Sequence, residues 1–213
     1  GDMEPFRVVT ISRLMGSGGA YIGHLVARKL GVRCVDREIL REAAKKLGTD
    51  VRLLEEVDGR SSSLLKSIVR SFGMGSPEAI SQPPPALPVH ERELFELQGR
   101  IIREIALQYD AVIIGRGAFH VLRGHPGVVH VFVHAPEAFR VSRVMKVQNI
   151  TDVDEARTLV RESDQRRRKF IRDMTGSNWM DARNYHLCID SSLAGFPSCV
   201  ETIVKLVNPS KTP

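Results

Sequence analysis

Phe6-Arg7-Val8-Val9-Thr10-Ile11-Ser12-Arg13-Leu14-Met15-Gly16-Ser17-Gly18-Gly19-Ala20-Tyr21-Ile22 decides the fold. Phe6 to Ile11 is apolar and β-branched, which predicts a strand, and the run gives way to the small residues Gly16 to Gly19. From Ala20 to Leu30 the apolar residues Ile22, Leu25, Val26 and Leu30 recur near helical spacing, and Gly31 supplies a stop. Val32 to Val35 reads as a second strand ending at Asp36, and Arg37 to Leu47 as a second amphipathic helix closed by Gly48. Such alternation of strand and helix implies a parallel sheet with right-handed crossovers and helices on both faces. It places ligand chemistry at the carboxyl ends of the strands.

The same pattern continues beyond an interruption. Residues 49–90 carry Ser61-Ser62-Ser63, Gly73-Met74-Gly75 and Pro83-Pro84-Pro85 between short apolar pieces, and read as a mobile insertion rather than core. Glu91 to Tyr109 is a helix with Leu94, Leu97, Ile101, Ile102 and Ile105 on one face, and the fully apolar Ala111-Val112-Ile113-Ile114 is a central strand ending at Gly115-Arg116-Gly117. Val128 to Val133 is a further strand and Pro136 to Val147 its crossover helix. Asp152 with Glu155 forms a capping box for a long polar helix reaching about Asp173, Leu187 to Asp190 is a fifth strand, and Phe196 to Val207 a closing helix. The expectation is one domain, with core 5–48, 91–150 and 186–207, an insertion at 49–90 and a lid at 151–185.

Composition narrows the class. The 213 residues are 42% hydrophobic and 26% charged, which is ordinary globular usage. There is no apolar run long enough for a membrane span, and the acidic start Gly1-Asp2-Met3-Glu4 is unlike a signal peptide, so a cytoplasmic protein without a membrane partner is expected. Cys34, Cys188 and Cys199 lack metal or redox spacing and read as buried thiols. The net charge of +6 favours anionic partners. Much of it sits in Arg161, Arg166, Arg167, Arg168, Lys169 and Arg172, opposed by Glu162, Asp164 and Asp173. Without interleaved aromatic residues, that stretch points to nucleotides rather than nucleic acid. The seven histidines, His130 and His134 among them, form no H-E-x-x-H pair, and Met15 breaks any G-x-S-x-G elbow.

A strand feeding a glycine-rich loop and then a helix aims backbone N–H groups and the positive helix end at one point, which suits phosphate. The dinucleotide pattern G-x-G-x-x-G starts at Gly16 and Gly18 but meets Tyr21, although Asp36 stands where such folds hold a ribose hydroxyl. The P-loop pattern G-x-x-x-x-G-K-[ST] keeps its glycines but finds Gly19 in place of lysine and Ala20 in place of the magnesium-binding hydroxyl.

Ile11-Ser12-Arg13, Gly16-Ser17-Gly18-Gly19, Ile22-Gly23 and Asp36-Arg37-Glu38-Ile39-Leu40 together resemble the cytidylate kinase-like family of P-loop proteins. Leu94 to Gln98, Val112 to Gly117, Trp179-Met180-Asp181, Asn184-Tyr185 and Ile189 to Ser192 are similar too, so the resemblance spans nearly the whole chain except residues 60–90. It implies an α/β, three-layer αβα P-loop NTPase-like fold with a five-stranded parallel sheet, a helical insertion and an arginine-rich lid. It further implies transfer of the γ-phosphoryl of ATP, with Mg2+, to a small acceptor such as CMP. Gly16, Ser17, Gly18, Gly19 and Ala20 would bind the phosphates of ATP through backbone N–H groups, and Arg116 would meet the acceptor phosphate. The lysine's charge must then come from arginine, and the candidates are Arg13, Arg116 and the lid residues Arg166, Arg167, Arg168 and Arg172, of which Arg168 and Arg172 share a helix face, as do Arg161 and Arg168. Asp36 either contacts the acceptor or a water-bound magnesium, or caps the following helix; Ser17 either offers its hydroxyl to the metal or faces solvent. Asp181 and Asp190 read as caps of local elements. Because no cation or hydroxyl stands at 19 and 20, a nucleotide-binding protein without turnover is the alternative; a dinucleotide-binding protein is the weaker one.

Overall fold

The computed structural model describes residues 7–54 and 91–208. Five strands, β1 (Val8–Arg13), β2 (Arg33–Val35), β3 (Ala111–Ile114), β4 (Val128–His134) and β5 (Leu187–Asp190), form one parallel sheet in the order β2-β3-β1-β4-β5. The helices are α1 (Gly19–Leu30), α2 (Arg37–Leu54), α3 (Glu91–Gln108), α4 (Ala118–Val121), α5 (Glu137–Gln148), α6 (Val153–Thr175), α7 (Ser191–Ala194) and α8 (Phe196–Val207), with a 3-10 turn at Ala182–Asn184. The expected α/β architecture is the one observed.

The alternation in β3 shows why the sheet is covered on both faces. Ala111 and Ile113 pack with Leu40, Ala43, Ala44 and Leu47 of α2 and Ile101, Ile102 and Ile105 of α3. Val112 and Ile114 point the other way, into Ile22, Val26 and Ala27 of α1 and Cys199, Val200 and Ile203 of α8. A third cluster, Leu14, Phe119, Phe132, Ile171, Trp179 and Tyr185, lies at the carboxyl end of the sheet and forms the floor of the site. The chain leaves β1 toward β2 on one side and β4 toward β5 on the other, so the loops part over the carboxyl end of β1, where ligands bind in such sheets.

Several expectations are corrected. β1 extends to Arg13, because Ser12 and Arg13 pair with Phe132 and Val133; Arg13 is therefore a strand residue and not part of the loop. Helix α2 continues through Gly48 to Leu54, since a helical glycine costs only about 1 kcal/mol and the buried stripe Leu40, Ala43, Ala44, Leu47 holds the helix in place. The rest of the expected insertion, residues 55–90, lies outside the described residues. Of the three thiols only Cys199 is buried; Cys188 is exposed because β5 is an edge strand, and Cys34 is partly covered. His130 is buried, 2.7 Å from Thr10 Oγ1 and stacked on His186, and burial first and His186 second push it down to about 4. The dinucleotide reading loses its topology, because β3 stands between β1 and β2. Among the described residues no helix is long and apolar enough to cross a membrane.

Candidate active site

The loop after β1 is built to present amides. Gly16 and Gly18 have φ of +80° and +81°, and a Cβ on them would stand 2.5 Å from the Arg140 carbonyl oxygen and 2.4 Å from the Phe196 ring. No larger residue fits either turn. Ser17 is fully buried: its Oγ donates to the Leu14 carbonyl at 2.8 Å, and its own carbonyl accepts from Ser191 Oγ at 2.6 Å. It does not face solvent, and its hydroxyl proton is committed to Leu14. Gly18 caps α1 without a side-chain bond, and no acidic residue occupies the first turn. The first N–H to find a backbone acceptor is that of Ile22, on the Gly18 carbonyl, so the amides of Gly18, Gly19, Ala20 and Tyr21 remain for a ligand.

Arg13 fills the space beside this loop. A Cβ on Gly19 would lie 2.3 Å from Arg13 Cβ and 2.9 Å from Arg13 Cγ, and a Cβ on Gly115 would lie 2.5 Å from Arg13 Nη1. The side chain thus runs from position 19 across to position 115. Burial first, then Arg167, Arg37 and Arg116, push its guanidinium down to about 9, with Asp36 opposing. Gly115, Arg116 and Gly117 all have positive φ, at 75°, 55° and 68°. A non-glycine residue held there is strained, and such strain clusters at functional sites. It aims Arg116 over the Phe170 ring, 5.1 Å from its centroid, with Nε buried and unpartnered among the described residues. Burial first, then Arg37 and Arg41, push Arg116 down to about 10, while Glu91 and Glu38 oppose.

These groups line a cleft of about 250 Å³, together with Arg37, Arg166, Arg167 and Trp179. Among the described residues Glu91 is the one carboxylate that lines it. Arg13, Arg37 and Arg116 form no ion pair among the described residues. Arg37 stands in the first turn of α2, at the helix end that repels cations. A second recess of about 180 Å³ adjoins the loop, lined by Gly16, Gly18, Tyr21, Arg143, Val147 and Gln148; Arg13 and Arg167 border both. There the Arg143 guanidinium lies 5.1 Å from the centre of the Phe196 ring, and Tyr21 packs on the same ring.

The four arginines expected on this helix divide between two faces, Arg166 and Arg167 on the cleft and Arg168 and Arg172 away from it. On α6, Ser163, Arg166, Arg167, Phe170 and Ile171 form the stripe facing the cleft. Arg168 and Arg172 do share a face with Arg161, but that face lines a separate recess on the outside of α6, where Arg168 reaches Met180 Sδ and Arg161 is bound to Glu137. Arg167 reaches the Arg13 carbonyl and pairs with Asp164 at 3.4 Å; burial and the neighbouring arginines push it down against Asp164. Asp164 also clamps the loop. It accepts the Met15 N–H at 2.7 Å and pairs with Arg140 Nη1 at 2.7 Å, and Arg140 in turn donates to the Met15 and Ala135 carbonyls. Arg37, Arg140, Asp164 and Phe170 were not singled out from the sequence, and Arg167 was one of four lid candidates without preference. The signal that could have set Arg167 ahead of Arg168 was its spacing of four from the apolar Ile171.

Asp36 settles as a cap: its Oδ1 accepts from the Glu38 and Ile39 amides, at 3.0 and 3.1 Å. Asp181 and Asp190 likewise cap the 3-10 turn and α7, as expected. For a protein-held magnesium the fit is poor. Position 20 is alanine, the Ser17 hydroxyl is committed to Leu14, and among the described residues no cluster of three or more His, Cys, Asp or Glu could hold a metal.

Residues 8–193 match the cytidylate kinase-like family. No curated protein matches the chain significantly. Among solved structures, an uncharacterized protein from Eubacterium ventriosum is 19% identical over 95% of this chain and 98% of its own, with a TM-score of 0.70. TT1252 from Thermus thermophilus is 17% identical over 99% and 100%, with a TM-score of 0.51. A gluconokinase from Sinorhizobium meliloti is 13% identical over 96% and 95%, with a TM-score of 0.50. At these identities the likeness establishes the shared fold.

Proposed function

The chain belongs to the cytidylate kinase-like family, which supports phosphoryl transfer in general, and from that premise we propose that it moves the γ-phosphoryl of ATP onto a small phosphate-bearing acceptor, a nucleoside monophosphate such as CMP. One observation carries the reading: among the described residues five arginines, Arg13, Arg37, Arg116, Arg166 and Arg167, line the cleft beside the phosphate loop with a single carboxylate, Glu91. Like charges crowded into a partly desolvated cleft repel one another, and an anion is what relieves them.

The donor's phosphates lie along the amides of Gly18 to Tyr21, and its base fits the recess between Tyr21, Arg143 and Phe196. The acceptor phosphate meets Arg116 and Arg37 across the cleft. An acceptor oxygen attacks the γ-phosphorus in line, a new P–O bond forms, and the bond to the β,γ-bridging oxygen breaks with its electron pair leaving on ADP. Charge spread over the transferred oxygens is met by guanidiniums already in place, so little reorganisation accompanies the reaction. Magnesium is proposed to enter with the nucleotide's phosphates; no step here is assigned to it.

A coupled ADP-release assay with ATP, magnesium and a panel of CMP, UMP and AMP tests this. ADP formation that requires one monophosphate is expected. Arg116→Ala should abolish acceptor use while leaving ATP binding within threefold, and equal loss of both would refute its role. The alanine at 20 and the committed Ser17 hydroxyl favour one second reading, a nucleotide-binding protein without turnover. Tight ATP binding with no ADP formed from any acceptor would select it.

A further inference from the structure

We infer that Arg13 supplies the cation that the P-loop lysine supplies elsewhere, from the end of the strand instead of from the helix, and that Gly19 and Gly115 lack side chains because its stem and its guanidinium occupy those two positions. This rests on the phosphoryl-transfer reading and assigns one residue within it.

The argument is steric first. In a P-loop the lysine at the position of Gly19 reaches the β- and γ-phosphates. Here that position has no room for any side chain, because Arg13 Cβ and Cγ stand 2.3 and 2.9 Å from where its Cβ would be. The missing lysine is therefore not an empty space at the loop; another cationic side chain fills it. At the far end Arg13 Nη1 lies 2.5 Å from where Gly115 would carry its Cβ. The side chain thus excludes a Cβ at each end of its path, with its stem at Gly19 and its guanidinium at Gly115, and each of those residues is glycine.

Electrostatics point the same way. Within the described residues Arg13 has no carboxylate partner, although it is surrounded by Arg37, Arg116 and Arg167. An arginine kept only for structure would be paired, since a partly buried unpaired charge costs several kcal/mol. Among the described residues Arg13 is also one of only two, with Arg167, that border both the loop recess and the arginine cleft. A cation at that border faces the group in transit rather than the part of the nucleotide that stays behind. Lysine on the helix would grip both β- and γ-phosphates; Arg13, reaching toward Gly115, is displaced to the acceptor side.

The distinction sets the test. With the full-length protein, Arg13→Ala should lower turnover at least 100-fold and weaken ATP at least tenfold by calorimetry, while ADP affinity stays within threefold. Arg13→Lys, which keeps a cation but shortens its reach, should retain more activity than Arg13→Ala. The double variant Arg13→Gly/Gly19→Lys, which removes the Cβ that blocks position 19 and restores the ordinary loop cation, should recover at least tenfold over Arg13→Gly alone. Folding of each variant is checked by its thermal transition, and the calorimetric comparison of ATP with ADP needs no turnover. Turnover of a folded Arg13→Ala within threefold of the parent, or equal loss of ATP and ADP, would overturn the assignment while leaving the proposed activity standing. A double variant no better than the single one would refute the shared position. If the unaltered protein binds neither nucleotide, the proposed function itself fails, and that outcome is separate from the others.

Discussion

Glycine at position 19 removes a cation from the loop and at the same time makes room for Arg13, so neither residue can be understood alone. The two form a coupled pair whose coupling is measurable without any activity. Gly19→Ala would place a methyl 2.3 Å from Arg13 Cβ and 3.2 Å from Val133 Cβ, in a helix where alanine is otherwise the better former. We expect it to destabilise by about 1–3 kcal/mol, as overpacking does. In an Arg13→Gly background, where the Cβ it would strike is gone, the same change should cost much less, giving a coupling of at least about 1 kcal/mol in urea melts. Additive effects would show that the close approach is not the reason for the glycine. At this scale the sequence was legible where backbone chemistry decides. The run Gly16 to Gly19 announces a phosphate loop because only amides and small residues are needed there. Arg37 was not legible, because its neighbours Arg13 and Arg116 come from the end of β1 and the turn after β3, and Asp36 reads equally well as ligand or cap until the amides of Glu38 and Ile39 claim it.

Helix α6 carries the arginines, and its attachment to the loop shapes the site as much as its charges do. Asp164 is mostly buried, with a side chain 13% exposed beside Arg140 at 10%, and it holds the Met15 amide, Arg140 and Arg167 together. Removing it leaves Arg140 buried without its partner and frees both the loop and Arg167. Asp164→Ala should therefore cost about 3 kcal/mol of stability and lower turnover more than it raises the KM for ATP, because the loop amides survive but the cation beside the transferred group loses its anchor. Asp164→Asn, which keeps the acceptor for the Met15 N–H, should fall between the parent and Asp164→Ala in both respects. A variant that loses stability with unchanged turnover would confine Asp164 to a structural role. The existence of this helix was plain from its capping aspartate, which accepts from Asp154 and Glu155. Its orientation was not. Cations lie on every side, so charge gives no preferred face, and the pair Arg168 and Arg172 looked as good as any. What orients the helix is apolar: Ala156 and Val160 against Val141 and Val144, and Ile171 against Trp179 and Phe119. The same rule, that buried apolar contacts outrank local signals, carried α2 past Gly48.

For the molecule as a whole, the sheet and the surplus charge act together. The parallel sheet was legible from five short apolar runs, because strands covered on both faces carry few polar residues and the alternation in β3 serves both layers at once. The order of strands was not, since nothing local in β2 shows that β3 will separate it from β1. That order brings the ends of β1 and β3 side by side, and with them Arg13 and Arg116, so the topology concentrates part of the +6 net charge at one edge. The unliganded protein bears the cost: Arg13, Arg116 and Arg167 are each pushed below the ordinary arginine range, burial leading in each case, which means the folded state disfavours their charged forms. An anion held in the cleft reverses that penalty, so its binding should appear as added stability. The thermal transition should rise in phosphate or pyrophosphate relative to chloride at equal ionic strength, by an amount approaching about 2.7 kcal/mol at 100 times the dissociation constant. Pyrophosphate, which spans loop and cleft, should act at lower concentration than phosphate. Arg116→Met, which removes one desolvated cation and keeps the apolar stem over Phe170, should leave the free protein as stable as the parent or more so and blunt the response to both anions. If Arg116→Met shifted with pyrophosphate as much as the parent does, the anion would be bound elsewhere, and the convergence of guanidiniums on this cleft would have to be explained without a phosphate.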